Sequence, residues 1–192
     1  GFKKGIIPDS TTIDSLRQFI GYKTVTATFD KIDKQHPQTM LDCSAIAKGY
    51  GCDAVAATLD AHGIENYMIE IGGEVVTKGK NSKGELWTIG ISKPIENPTI
   101  GSNSLHEIIS ISGKSMATSG NYRNFREENG RKIAHTIDPR TGYPVQHSLL
   151  SATVIADNCA TADAWATAFM VMGLEKAMEM CNSEERIDAY FI

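Results

Sequence analysis

The chain has 192 residues, 41% hydrophobic and 22% charged, an ordinary balance for a soluble globular protein of one domain, at most two. A net charge of −4 with scattered Lys and Arg argues against a nucleic-acid binder, and no apolar run of about 18 residues is present to span a membrane. The chain opens Gly1-Phe2-Lys3-Lys4, without an initiator Met or a hydrophobic leader. It is therefore expected to be processed or trimmed, with any export signal out of view.

In chain order, Ser10 to Tyr22 predicts a helix with Ile13, Leu16, Phe19 and Ile20 on one face and Gly21 as its stop. Thr24 to Asp30 alternates like a strand, Lys31 to Thr39 reads as a loop around Pro37, and Met40-Leu41-Asp42 is a brief extended piece. A helix is expected from about Ala45 to His62, with Ser44 suited to its N-cap and Gly63 to its C′ position. Tyr67 to Lys78 reads as one strand kinked at Gly72-Gly73, and Leu86 to Ser92 as another. Pro94 to Ser104 is a loop. His106–Ser112, Ser115–Thr118, Ile133–Ile137 and Leu149–Ala156 are further strands. Helices are expected over Ala160–Met172 and Leu174–Cys181. Strands outnumber helices and short turns join them, which favours an α+β fold with a mixed or largely antiparallel sheet in one domain. The four cysteines, Cys43, Cys52, Cys159 and Cys181, lack Cys-x-x-Cys or zinc-like spacing and read as small buried hydrophobes.

Five segments carry polar groups suited to chemistry. His135-Thr-Ile-Asp138-Pro139-Arg140-Thr141-Gly142-Tyr143-Pro144 places an imidazole, a carboxylate and a guanidinium at a strand exit. Proline biases Asp138 toward extended backbone, and Thr141-Gly142 suits a tight turn. It is either a decorated hairpin or a reactive site. Asp42 to Gly51 leads from an extended piece into a helix start, where unpaired N–H groups suit phosphate and Lys48 adds a cation; a plain capped surface helix fits as well. Gly72-Gly73 marks either a bulge or the close approach of a ligand. Thr118-Ser119-Gly120 puts two hydroxyls at a strand end. Asp163 and Thr167, at i and i+4, are the polar pair on an otherwise apolar helix. A buried carboxylate is costly unless it is paired or binds a metal, and these oxygens suit a hard cation; a back-bonded Asp and Thr is the alternative. Gly113-Lys114-Ser115 lacks the upstream glycine of a phosphate-binding loop, and Gly49-Tyr50-Gly51 lacks the third glycine of a dinucleotide fingerprint.

Taken in order, Asp42…Ala45-Ile46-Ala47-Lys48-Gly49-Tyr50, Ile71-Gly72-Gly73, Trp87-Thr-Ile-Gly90-Ile91, Ala117-Thr118-Ser119-Gly120, His135 to Pro144 and Ala162-Asp163-Ala164…Ala166-Thr167-Ala168 resemble the ApbE family of flavin transferases, from about Gly1 to Gly173. The resemblance implies an enzyme that moves FMN from FAD to a Thr or Ser hydroxyl of an acceptor protein, with Mg²⁺ as cofactor and AMP released. It implies that Asp42 and Lys48 contact FAD and that Ile137 touches the flavin nucleotide. Gly72, Gly73, Thr118 and Ser119 join these nucleotide contacts. The Ala45 carbonyl, Asp163 and Thr167 would hold Mg²⁺, and His135 would be the catalytic base. An FAD pyrophosphatase or a non-catalytic FAD-binding protein are the rival readings. Partners are FAD and flavinylated electron-transfer or redox-pump subunits, with no nucleic acid and a homodimer left open. Family members are usually exported and often lipid-anchored, so the expected location is extracytoplasmic, periplasmic or at the cell surface. They also begin well upstream of Gly1-Phe2, so the chain is expected to lack an N-terminal third. Glu70 stands where the family usually has Asn, adding charge near the phosphates, and Cys43-Ser44 replaces a more usual pair.

Overall fold

A computed structural model describes residues 8–94, 105–121, 125–128 and 131–192. In chain order the elements are α1 (Ser10–Arg17), β1 (Val25–Ala27), β2 (Ile32–Lys34), α2 (Ala47–Ala61), β3 (Tyr67–Ile71), β4 (Glu74–Lys78), β5 (Trp87–Ser92) and β6 (Leu105–Ile111). Then follow β7 (Ser115–Gly120), β8 (Phe125–Glu128), β9 (Arg131–Ala134), β10 (Ser151–Ala156), α3 (Cys159–Met172), α4 (Leu174–Ser183) and β11 (Ile187–Phe191). The fold is α+β, and the pairings β1–β2, β3–β4, β4–β7, β5–β6, β7–β10 and β10–β11 are all antiparallel. The residues cluster into two compact units, 1–42 with 126–146 and 43–125 with 147–192.

The larger unit is built on a five-stranded sheet of order β11-β10-β7-β4-β3. Strand alternation sends Ala117, Ala152 and Val154 to one face, where Ala162, Ala166, Phe169 and Met170 of α3 cover them. Burying large side chains such as Phe169 and Met170 contributes roughly 1.5–3 kcal/mol each. Val75 and Met116 point to the opposite face and pack on Ile89 of the β5–β6 ribbon. Helix α2 joins the core through Cys52 and Ala56, against Tyr67, Val76 and Cys159. The approach of α2 to α3 needs glycine: a Cβ on Gly49 would collide with the backbone carbonyl of Cys159. Asp53 of α2 adds a second tie, its two carboxylate oxygens accepting the N–H groups of Cys159 and Ala160 at 2.8 Å each.

In the smaller unit, α1 is capped by Asp9, which accepts the Thr12 N–H at 2.7 Å. The expected motif from His135 to Pro144 forms a tight hairpin. Ile137 bridges Pro144, Asp138 N–H donates to the Tyr143 carbonyl at 2.9 Å, and Gly142 N–H donates to the Asp138 carbonyl at 2.8 Å. Arg17 of α1 donates to the Arg140 carbonyl at 2.6 Å and fastens the turn.

Several sequence expectations change. The Gly72-Gly73 kink is a turn: both glycines have positive φ, 63° and 102°, and β3 and β4 pair back-to-back with Ile71 opposite Glu74. Such a two-residue turn needs positive φ at both positions, which glycine adopts without strain. Helix α1 ends at Arg17, not Tyr22, and β2 lies in the expected Lys31–Thr39 loop. Helix α2 begins at Ala47 with Ile46 as N-cap and no side-chain cap, so Ser44 does not cap it. Cys52 and Cys159 are buried as expected, whereas Cys43 is exposed. Apart from Pro94, the loop expected over 94–104 lies outside the described residues.

Candidate functional site

The N-terminus of α2, the β3–β4 turn, the end of β7 and the middle of α3 meet within the larger unit. Asp163 is 2% exposed, and its Oδ2 accepts the Gly49 N–H at 3.1 Å. Gly49 is the third residue of α2, so its N–H is one of the donors that a helix start leaves without an intrahelical partner. The Ala45 carbonyl, just ahead of that helix start, accepts no backbone hydrogen bond among the described residues. Asp163 thus caps, from α3, a helix start that has no local cap. One turn along α3, the Thr167 hydroxyl lies 3.1 Å from the Ser119 hydroxyl of β7.

Beside it is a second buried carboxylate. Glu74, the first residue of β4, is 1% exposed; its Oε1 accepts the Lys48 ammonium at 2.5 Å, and its Oε2 has no partner among the described residues. Burial pushes the Glu74 carboxyl up, Lys48 holds it back, and the Asp163 charge adds to the push. No ion pair reaches Asp163 among the described residues. Two carboxylates against one ammonium leave this cluster one negative charge in excess. An uncompensated charge in a buried site is expensive and calls for a cation.

The matches to known proteins extend along the whole chain. The ApbE family model covers residues 1–191. The chain belongs to the ApbE family. It is 42% identical over 179 residues to an FAD:protein FMN transferase of Haemophilus influenzae, which covers 91% of this chain and 51% of that protein. A Vibrio cholerae FAD:protein FMN transferase is 40% identical over 180 residues, 94% of this chain and 53% of that protein. Among solved structures, the flavin transferase ApbE from Vibrio cholerae superposes with a TM-score of 0.84 at 38% identity, over 98% of this chain and 58% of that one. The chain spans about half the length of the curated relatives it matches.

Of the ApbE site residues expected from sequence, the larger unit gathers Ala45, Lys48, Gly72, Ser119, Asp163 and Thr167 through the contacts just described; a Cβ on Gly72 would lie 3.2 Å from the Lys48 Cδ. Gly73 is exposed. Thr118 and Ser119 diverge, as neighbours on a strand must: Thr118 bonds the Thr153 hydroxyl at 2.8 Å on the sheet face opposite α3. Asp42, His135 and Ile137 belong to the smaller unit, where His135 is exposed at the end of β9 and Ile137 lies in the hairpin bridge. Glu70 is exposed on β3; the carboxylate that reaches Lys48 is Glu74, to which the sequence reading gave no role. Its signal was available: a lone acidic residue opening the run Glu74-Val75-Val76-Thr77.

The donor set of Asp163, the Thr167 hydroxyl and the Ala45 carbonyl is all oxygen, which suits a hard divalent cation such as Mg²⁺. Among the described residues no three His, Cys, Asp or Glu side chains cluster as a metal site, so a cation here would rest on one carboxylate and neutral oxygens. No helix among the described residues is long and apolar enough to cross a membrane.

Proposed function

We propose that this chain acts in the Mg²⁺-dependent transfer of FMN from FAD to a threonine or serine hydroxyl of an acceptor protein, releasing AMP. The observation that carries the reading is the excess negative charge at the head of α2: Asp163 is buried, accepts the Gly49 N–H and has no ion-pair partner among the described residues. Relatives of this chain named FAD:protein FMN transferase supply the substrate.

In this reading Asp163, Thr167 and the Ala45 carbonyl hold Mg²⁺, which when bound neutralises diphosphate charge and eases departure of AMP. Lys48 presents its ammonium to the diphosphate, and the N–H groups of α2 favour the anion. Asp42 and the Gly72-Gly73 turn contact FAD, with Ser119 bracing Thr167 and Thr118 supporting β7 beside it. Ile137 lies against the flavin nucleotide. His135 accepts the proton from the acceptor hydroxyl as that oxygen bonds the FMN phosphorus and the bond to the AMP phosphate breaks. An imidazole does this near neutral pH with little tuning. We place the protein outside the cytoplasmic membrane, lipid-anchored, by resemblance; recovery of the full-length protein in a soluble cytoplasmic fraction would overturn that placement.

The test is incubation with FAD, Mg²⁺ and a threonine-bearing acceptor, following AMP release and covalent flavin fluorescence in a denaturing gel. Asp163→Asn is expected to lower Mg²⁺-dependent turnover by at least about 100-fold, the upper end of what loss of even a supporting metal contact costs. His135→Ala should abolish transfer and keep FAD binding. AMP release without covalent flavin would make the chain a pyrophosphatase, and unchanged turnover in Asp163→Asn would remove the metal assignment.

A further inference from the structure

Glu74 has no part in the chemistry just described, yet its side chain is buried beside that site with an oxygen to spare. One oxygen holds Lys48 at 2.5 Å; the other is buried with no hydrogen bond among the described residues. Buried polar atoms in native proteins are nearly always partnered, and an exception needs a reason. The β3–β4 turn closes around the pair: a Cβ on Gly72 would sit 3.2 Å from the Lys48 Cδ and 3.7 Å from the Glu74 Oε2. Lys48 itself remains 46% exposed along its side chain, so it is tethered by Glu74 and still partly open to solvent.

The electrostatic consequence follows from counting charges. Lys48 is the cation that would draw a diphosphate to the head of α2. Glu74 cancels it, and Asp163 adds a further negative charge. The partial positive charge of a helix N-terminus, about half an elementary charge, does not reverse that balance. A divalent cation does, turning one excess negative charge into one excess positive charge.

We propose that Glu74 is a specificity-determining residue: by neutralising Lys48 it keeps a diphosphate from binding at the head of α2 unless a divalent cation is also bound. The proposal rests on the cation-and-diphosphate reading of the site. Glu74→Gln keeps the side-chain shape and an oxygen for Lys48 while removing the charge. The cluster then carries no excess charge without a cation, and anion binding loses its dependence on the metal.

Calorimetric titration of FAD, and separately of inorganic pyrophosphate, into the wild-type chain and Glu74→Gln, each with Mg²⁺ and with a chelator, decides the matter. In chelator the variant should bind FAD about tenfold tighter than wild type, in keeping with removal of one unit charge from a partly screened site. The ratio of affinities with and without Mg²⁺ should shrink by a similar factor. Glu74→Asp, which keeps the charge, should retain the wild-type ratio. Glu74→Met removes the charge without burying an amide and gives the same readout should the glutamine variant fail to fold. An unchanged Mg²⁺ ratio in the neutral variants, beside a clear ratio in wild type, overturns the role of Glu74 alone. A wild-type chain that binds FAD equally with and without Mg²⁺, or binds neither ligand, overturns the site reading and this proposal together.

Discussion

Asp138 and Glu74 are both carboxylates paired with a cation beside a tight turn, and they differ in what the rest of the carboxylate does. Asp138 is saturated by its own turn: Oδ1 accepts the Arg140 N–H and Nε at 2.8 and 3.0 Å, and Oδ2 accepts Nη2 at 2.8 Å. The donors come from a residue two positions away, and the Arg140 side chain is mostly exposed. Glu74 is more deeply buried, takes its cation from another element, and leaves one oxygen bare. A saturated carboxylate in a short loop fixes backbone shape. A desolvated carboxylate with a vacant oxygen keeps electrostatic free energy in reserve, because its solvation has been removed and not fully replaced. The first pattern marks scaffolding and the second marks a place where a ligand alters the balance.

The largest effect is expected where the unsaturated side of this comparison depends on packing. Gly49 delivers its N–H to Asp163, and its missing Cβ lets α2 reach α3. Gly49→Ala forces backbone apart, since the obstructing atom is the Cys159 carbonyl and no side chain can swing away. Overpacking of this kind costs about 3 kcal/mol, which in a chain of this size lowers Tm by roughly 6–12 °C. It also separates Asp163 from its donor, so the cation response of FAD binding should fall with stability. A thermal melt within a degree or two of wild type would show that the approach of the helices is not as tight as described.

On the saturated side, Asp138→Asn removes the carboxylate that accepts three Arg140 donors. The variant should lose about 1–2 kcal/mol of stability, within the usual range for charge-assisted hydrogen bonds near the surface. Denaturant unfolding measures that loss. The Mg²⁺ ratio for FAD binding should stay as in wild type, and a change in that ratio would move Asp138 from the scaffold into the binding machinery.

What could be read from sequence was whatever local pattern dictates. The i, i+4 spacing of Asp163 and Thr167 placed both on one turn-to-turn stripe of α3. The strand expected over Leu149–Ala156 forms as β10 from Ser151, and the Pro and Gly of the His135–Pro144 motif shape its hairpin. What could not be read depended on distant partners. The start of α2 looked self-capped by Ser44, yet its donor goes to Asp163, 114 positions along the chain. Strand β11 is short and follows a helix without strong alternation, and it forms by pairing with β10. Gly72-Gly73 signals a bulge and a turn alike until the partner strand is known. The charge balance that singles out Glu74 exists only after α2, β4 and α3 have packed, so no window of sequence contains it.

The smallest effect tests whether burial of the carboxylate, and not residence in one unit or the other, separates the two kinds. Asp60 lies in the same unit as Glu74 but stays open to water, its side chain 46% exposed: Oδ1 accepts the Tyr67 hydroxyl at 2.9 Å and the Lys78 ammonium at 2.8 Å. Tyr67 is 8% exposed, and burial, with the Asp60 carboxylate adding to it, pushes its phenol up to about 12. The folded state therefore holds this proton more tightly than the unfolded chain, whose tyrosine titrates near 10. Stability from that proton is fully present below about pH 10 and is lost as pH rises toward 12. Tyr67→Phe should cost about 1 kcal/mol at neutral pH, the worth of one hydrogen bond. The gap between variant and wild type should close as pH climbs through that alkaline window. FAD binding and its Mg²⁺ ratio should not move at any pH where both proteins are folded. A shifted ratio would mean that a solvated carboxylate also tunes the site, and burial with an unpartnered oxygen would no longer suffice to pick out Glu74.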